Sequence, residues 1–319
     1  MADYKTLHGT NIDTVSSDPS NPVKGQVWYN STAQKVKGSI LSAGAWATAN
    51  NMNTARTRLA GAGTQTAGLI FGGSNPNLNE TETYDGTNWT EVANLNTARN
   101  GLGGAGTQTS AIGFGGEPTH TGYTETWNGS GWTEQTDLNT VRRYVGGAGA
   151  DNTAALCFGG DDGPISANTT ELWNGSGWTE LADLNTARHY VGQGGIGTST
   201  AALCVGGSPS PVGAQVESWN GTSWTEVADL NTSGNNACFG IQTSGLACMM
   251  NGSTATDEWD GSTWTAKGTL NNTRSGGGGL GIYTAGLAFG GWDTTVPAAA
   301  AFAEEWTGET ASTITFDVS

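Results

Sequence analysis

Trp127-Asn128-Gly129-Ser130-Gly131-Trp132 is the stretch from which the fold is read. Two aromatic residues flank four small polar ones, and the arrangement returns at Tyr84 to Trp89, Trp173 to Trp178, Trp219 to Trp224 and Trp259 to Trp264. A sixth pair is split between the two ends of the chain. Trp306 has the usual glycine two residues on but no tryptophan partner downstream, and Trp46 has the usual downstream sequence but no aromatic partner upstream. The halves complete each other only in a closed arrangement, where the last segment supplies the neighbour that the first one lacks.

The second tryptophan recurs at positions 46, 89, 132, 178, 224 and 264, with spacings of 43, 43, 46, 46 and 40 residues. Periods of about 40 to 50 residues with several short strands per unit belong to propeller blades. Gly-Gly or Asn-Gly at 72, 115, 159, 206, 251 and 290, and Leu-Asn or Met-Asn at 52, 95, 138, 184, 230 and 270, keep the same count. One unit reads as a glycine-rich strand near 100–108, an apolar strand at 110–114 ending on Gly115-Gly116, a variable loop, a strand ending at Trp127, a tight Asn128-Gly129 turn of type I′, and a strand through Trp132 to about 136. The expected fold class is therefore all-β, a six-bladed propeller with four strands per blade. Its glycine-rich strands lie innermost, where backbones converge. The aromatics form the core farther out, each burying roughly 150–250 Å². The last blade takes strands from 276–291 and 302–306 and is closed by an N-terminal strand at Ala45 to Asn50. The expected domains are an N-terminal attachment arm with a β-hairpin at 1–40, the propeller at 41–308, and a C-terminal tail or extra strand at 309–319. Ile314-Thr315-Phe316 in that tail reads as a strand against the arm or against a neighbouring subunit.

Charge and composition exclude several classes of function. The formal net charge is −16, made of +1 over residues 1–40 and −17 over the rest. Such an acidic disc repels nucleic acid. No run of about 18 apolar residues exists to insert in a membrane, and Met1 to His8 lacks the apolar centre of a secretory signal. Cys157 and Cys204 occupy equivalent places in apolar second strands and read as small core residues. Cys238 and Cys248 fall on what should be neighbouring strands, so a cross-strand bond stands as the alternative to free thiols. Two such residues are a thin disulfide framework for so large a domain, and free thiols are the expectation.

Gly-Gly closing the second strand, then an aromatic and a tryptophan flanking the turn between the third and fourth, resembles Kelch repeats over 41–308. That resemblance implies the propeller and says little of activity, because the architecture hosts enzymes, adaptors and adhesins alike. The segment from Asn21 to Lys37 reads as a polar lead, a strand, a turn at 31–34 and a second strand. With Gly25-Gln26-Val27-Trp28-Tyr29-Asn30 followed by Lys35-Val36-Lys37, it is similar to hairpins that recur in structural and tail-fibre proteins of tailed bacteriophages, marine ones especially. This implies a virion component assembled in the host cytoplasm. Trp28, Tyr29, Lys35 and Lys37 would attach the arm to other virion proteins, while the propeller contacts a host-surface glycan or a neighbouring virion protein, alone or as a homo-oligomer. The alternatives are a capsid decoration or spacer protein without a host ligand, and a glycan-active propeller enzyme.

The residues themselves speak against catalysis. A galactose-oxidase-like copper site needs converging histidines and tyrosines, and the chain has only His8, His120 and His189. The Asp-Gly-x-x-Trp turns lack the order of sialidase Asp-boxes. Asp161-Asp162 is a weak calcium signal, so the expectation is no enzyme, no cofactor and no metal. Arg56, Arg99, Arg142, Arg188 and Arg274 occupy one repeat position just before the innermost strand, which only the unit with Ser233-Gly234 lacks. Five guanidinium groups at a channel mouth would bind an anion. Their repetition favours a structural role instead, tying blades together through carboxylates such as Glu82, Glu125, Glu171 and Glu217. Function more often lives where repeats differ. The variable loops at 74–79, 117–122, 161–168, 208–215 and 292–300 are expected on the arginine face, where His120, Tyr123, Asp161, Asp162, Trp292 and Asp293 form a candidate glycan-binding set; ordinary loop drift is the competing reading.

Overall fold

Four short segments per repeat, separated by residues that favour turns, pair into one antiparallel sheet. The computed structural model describes residues 12–20, 22, 24–163, 166–191, 195–209, 212–234, 237–248 and 250–316, and divides the chain into one unit of Ala45–Thr307 and another of Met1–Gly44 with Gly308–Ser319. In the larger unit, sheet A pairs Ala60–Thr64, Ala67–Phe71, Thr81–Tyr84 and Trp89–Val92 in that order. Sheet B pairs Gly103–Thr107, Ser110–Phe114, Thr124–Trp127 and Trp132–Glu134, and sheet C pairs Gly146–Asp151, Ala154–Phe158, Thr170–Trp173 and Trp178–Glu180. Sheets D (Ile196–Thr198, Ala201–Val205, Val216–Trp219, Trp224–Val227) and E (Ala237–Ile241, Ser244–Cys248, Thr256–Trp259, Trp264–Ala266) repeat the pattern and share one parallel bridge, Ile196 to Gly240. Sheet F takes Gly278–Ile282, Ala285–Phe289 and Ala303–Thr307 from the end of the chain and Ala45–Thr48 from its beginning. Helix among the described residues is confined to 3₁₀ turns at Val212–Ala214 and Met250–Gly252. The result is an all-β, propeller-like fold.

The split aromatic pair is joined in sheet F: Trp306 lies directly opposite Trp46, their ring centroids 5.5 Å apart. Trp127 and Trp132 meet in the same way at 5.5 Å. The loop between them differs from the expected type I′ turn. It has four residues, 128–131, and only Gly129 has a positive φ, at 92°. A two-residue type I′ turn needs two such residues. Here the asparagine works through its side chain, Oδ1 accepting from the backbone N–H groups of Ser130 at 2.9 Å and Gly131 at 3.0 Å, which is the local alternative that short polar side chains offer.

First strands neighbour one another in the order A, B, C, D, E, F and back to A. Their glycines permit that approach: a Cβ on Gly104 would stand 2.8 Å from the Phe71 ring and 2.9 Å from the Ala60 methyl. A cavity of about 110 Å³ runs between these strands, lined by glycine and alanine together with Phe239 and Leu280. Farther out, the fourth-strand tryptophan of every sheet but E, where Trp264 meets a cluster with Val205, covers a phenylalanine of the preceding sheet, Trp132 on Phe71 at 4.7 Å and Trp178 on Phe114 at 5.1 Å. The same indoles donate to buried threonines of the preceding sheet, Thr81 and Thr124, both at 3.0 Å. Sheet E moves its bulk inward, with Phe239 on the first strand and Cys248 where Phe71, Phe114, Phe158 and Phe289 close the second. The four cysteines are free and buried. Cys248 pairs with Ala237 and Cys238 with Ala247, so the pleat sends the two thiols to opposite faces. A cross-strand bond between them is excluded by that register.

In the smaller unit, Asp13–Val15, Val27–Asn30, Lys35–Ser42 and Thr310–Phe316 form one sheet in that order. The hairpin turn falls at 31–34 as expected. The stretch read as a tail or an extra strand is a strand along Lys35–Ser42 with seven register pairs, from Val36 opposite Phe316 to Ser42 opposite Thr310. Residues 41–44 also belong to this unit and not to the repeats. The Phe316 ring lies across Gly38, where a Cβ would come within 2.9 Å of it.

Candidate functional site

The five repeated arginines are fully buried. Arg142 shows the arrangement: its Nη1 donates to the carbonyls of Gly159 at 2.8 Å and Thr169 at 2.7 Å, and its Nη2 to Glu171 at 2.8 Å. Glu171 also accepts from the Asn139 backbone N–H at 2.8 Å and its side-chain amide at 2.9 Å. Arg56 pairs with Glu82, Arg99 with Glu125, Arg188 with Glu217, and Arg274 with Glu304. Glu304 was legible, since it precedes Trp306 by the two residues that separate Glu171 from Trp173. Each pair joins the linker that leads into a sheet to the third strand of that same sheet, so the ion pairs do not bridge sheets. Backbone bonds do that, such as Gly116 N–H to the Arg142 carbonyl and Gly160 N–H to the Arg188 carbonyl, each 2.8 Å. Where the arginine is replaced by Gly234, the acid shortens to Asp257 and, among the described residues, holds Asn231. With these donors engaged internally, the arginines do not present an anion site to solvent.

Isolated bridges of Thr57 with Ser74, Asn100 with Glu117, Arg143 with Asp161 and His189 with Ser208 set the variable loops beside the segments that follow the arginines. His120 and Asp161 come together, Nε2 to Oδ1 at 3.6 Å. Asp161 is gripped by Arg143 through Nε at 3.0 Å and Nη2 at 2.9 Å. Desolvation works to raise its pKa, but the Gly163 N–H and Arg143 outweigh it and hold the carboxyl below its ordinary value. Asp162 and Tyr123 are exposed, and Tyr123 contributes its carbonyl to Arg99. Trp292 and Asp293 sit in a separate three-stranded sheet with Arg274–Ser275 and Ala298–Ala299. Asp293 closes its own turn onto Thr295 N–H at 2.7 Å.

Sequence reasoning missed the residues between these loops. Two positions after the repeated arginine stand Arg58, Gly101, Tyr144, Tyr190 and Gly276, all left-handed, with φ of 55°, 63°, 55°, 54° and 62°. Their backbones link in series: Arg58 N–H to the Gly276 carbonyl at 2.7 Å, Gly101 to Arg58 at 2.8 Å, Tyr144 to Gly101 at 2.6 Å and Tyr190 to Tyr144 at 3.0 Å. The Tyr144 and Tyr190 rings stack 4.0 Å apart, and Arg58 lies over both, at 5.3 and 5.9 Å. The Tyr144 hydroxyl donates to Glu117, which Arg143 also holds. Burial, then the bond to Glu117, pushes the Tyr144 phenol above its usual range. His189 accepts or donates through Nδ1 to Ser166 Oγ at 2.8 Å, and burial lowers its pKa.

In the smaller unit, Trp28 is buried and its indole donates to Asp18 Oδ1 at 3.0 Å. Lys37 Nζ binds Asp18 Oδ2 at 2.6 Å and Asn30 binds Oδ1 at 2.7 Å. Bonds from Lys37, Asn30 and Trp28 hold the Asp18 carboxyl down at about 2. Trp28 and Lys37, expected to meet a partner, therefore hold their own sheet together. Register and alternation put Val27, Tyr29, Val36, Ile40, Ile314 and Phe316 on the opposite face. Val27, Ile40 and Phe316 are 39%, 44% and 40% exposed there. Lys35 lies on the Trp28 side.

No protein-family model and no curated protein matches the chain. Among solved structures it is similar to the one titled "Structure of YjhT", with a TM-score of 0.65 and 15% identity over 83% of this chain and 99% of that one. A likeness at this identity is one of fold alone.

Proposed function

We propose that the chain is a non-enzymatic structural protein of a tailed-bacteriophage virion, a tail-fibre or other surface appendage, in which a six-bladed Kelch-like ring is carried on an attachment arm. The observation that carries the reading is the small unit's sheet. Asp18 closes one of its faces, while the other leaves Val27, Ile40 and Phe316 exposed side by side with Tyr29. A separately folded sheet with an uncovered apolar face suits docking onto another protein. The similarity of its hairpin to those of phage structural proteins supports a virion protein as that partner. Sheets A to F, the return of F to A, and the pairing of Ala45–Thr48 into F support the count of six. The repeated Arg, Glu and Trp residues serve that ring from within, which leaves recognition of a host glycan or a neighbouring virion protein to the variable loops.

Antibody fragments raised against residues 45–307, imaged by electron microscopy on intact particles, test the proposal. Labelling at tail or fibre tips supports host contact. Labelling spread over the head replaces it with a decoration protein, and particles without label overturn the virion reading.

A further inference from the structure

Gly101 and Gly276 occupy the left-handed position without a side chain, yet Arg58, Tyr144 and Tyr190 occupy its equivalents. A side chain in that region carries a conformational cost that glycine avoids. The backbone hydrogen bonds between sheets form equally at the glycines, so closing the ring does not require these three side chains. Their value lies in what they present. Arg58 rests over the stacked Tyr144 and Tyr190 rings, donates to the Tyr144 hydroxyl at 3.1 Å, and has no carboxylate partner among the described residues. Its neighbour Arg143, in contrast, is held by Glu117 and Asp161. In a chain with 28 acidic and 12 basic residues, a guanidinium left to aromatic rings keeps its charge free for a ligand.

We propose that this cluster binds an acidic saccharide, with a hexuronate carboxylate on Arg58 and the C–H face of the sugar against Tyr190. The inference rests on, and sharpens, the glycan-contact reading above. The planar fork of arginine matches a carboxylate through two parallel hydrogen bonds. Tyrosine supplies a flat apolar face with a polar tip. Because the rings already position Arg58, little side-chain freedom remains to be lost on binding.

The test is isothermal titration of the full chain with galacturonate, glucuronate and mannuronate oligomers, and with neutral galactose oligomers of equal length, at low and high salt. One acidic oligomer is expected to bind at least about tenfold tighter than the neutral ones, and more weakly in high salt. Arg58→Gly should lower that affinity by about tenfold or more, the loss of a charged hydrogen bond. Its thermal midpoint should stay the same or rise, since glycine suits φ of 55°. Tyr190→Gly should weaken binding without removing the salt dependence. Failure of every acidic oligomer to bind, or wild-type affinity in Arg58→Gly, overturns the proposal. Equal binding of neutral oligomers with no effect of Arg58→Gly overturns it and leaves the glycan reading standing. A large fall in the midpoint of Arg58→Gly without any binding would make the cluster a structural plug. Particle labelling reports on the virion reading separately.

Discussion

Replacing Glu171 by glutamine keeps the volume and removes one charge from a site with no exposure. Glu171 accepts from Arg142 Nη2 at 2.8 Å, from the Asn139 N–H and amide at 2.8 and 2.9 Å, and from the Thr140 N–H at 3.3 Å. In Glu171→Gln an amide NH₂ faces some of those donors, and the buried Arg142 cation has lost its counter-charge. Removing one partner of a buried pair costs about 3–5 kcal/mol, and the oxygen that glutamine retains puts the expected loss near the lower end. For a unit of this size, about 3 kcal/mol lowers the thermal midpoint by about 6–12 °C. Tryptophan fluorescence in urea and on heating reads the change. Asp257→Asn in sheet E is the internal comparison, because Asp257 neutralises no arginine and its replacement strands no buried cation. It should cost less than half as much. Pairing Glu171→Gln with Arg142→Met should recover part of the loss, though the Asn139 and Thr140 N–H groups stay poorly satisfied. A loss below about 1 kcal/mol for Glu171→Gln, the range of surface pairs, would refute the argument that the pair is desolvated and bonded as described. So would equal effects at 171 and 257.

Other outcomes follow from the same contacts. Trp46→Ala removes the ring that meets Trp306 at 5.5 Å and the bond to Thr256 at 2.9 Å, and should cost about 3–5 kcal/mol. Deleting 45–48 also leaves Ala303–Thr307 as an open edge, so size-exclusion chromatography should show oligomers; a stable monomer would count against closure by that strand. Burial pushes Cys157, Cys204 and Cys248 up to about 12, so these thiols contribute stability that is complete below the unfolded value of about 8.5 and lost as pH rises toward 12. A native-state thiol titration at pH 8 should find no reactive group, and urea should release four; release of two would mean a disulfide. Asp18, held at about 2 by its bonds to Lys37, Asn30 and Trp28, contributes to the small unit above the unfolded value of about 3.9 and loses that contribution as pH falls toward 2. Trp28 emission should shift across this window in the wild type and not in Asp18→Asn.

The strand pattern was legible because turn residues and aromatics recur with the period of the sheets. Trp306 and Trp46 even announced their pairing, since each lacked the neighbour that every other copy had. The type I′ expectation failed because Asn-Gly was read as a backbone preference, whereas Asn128 acts through its Oδ1 atom in a longer loop. Trp28 and Lys37 looked like contact residues because a short hairpin was read without the Asp18 that approaches from ten and nineteen residues away. The C-terminal strand was left open because seven residues of weak alternation do not say which edge they join, and only the partner at 36–42 decides it.

Repetition also explains why the candidate site was harder to read than the fold. A residue present in nearly every repeat satisfies a requirement that nearly every sheet has, and Arg142 with Glu171, a pair that sheet E alone lacks, is the type: the donors and acceptors of the pair end on the repeat's own backbone. Position 58 and its equivalents obey the opposite logic. The backbone there has one conformation in sheets whose residue is glycine, arginine or tyrosine, so the fold constrains φ and leaves the side chain to vary. Sequence alone shows this variation as drift, because nothing in Arg-Tyr or His-Tyr says that the tyrosine is left-handed. Once φ is known, the same variation separates what the ring needs from what it carries. The left-handed Arg58, Tyr144 and Tyr190 are then the places where binding chemistry has been added at a conformational cost that the neighbouring glycines show to be avoidable.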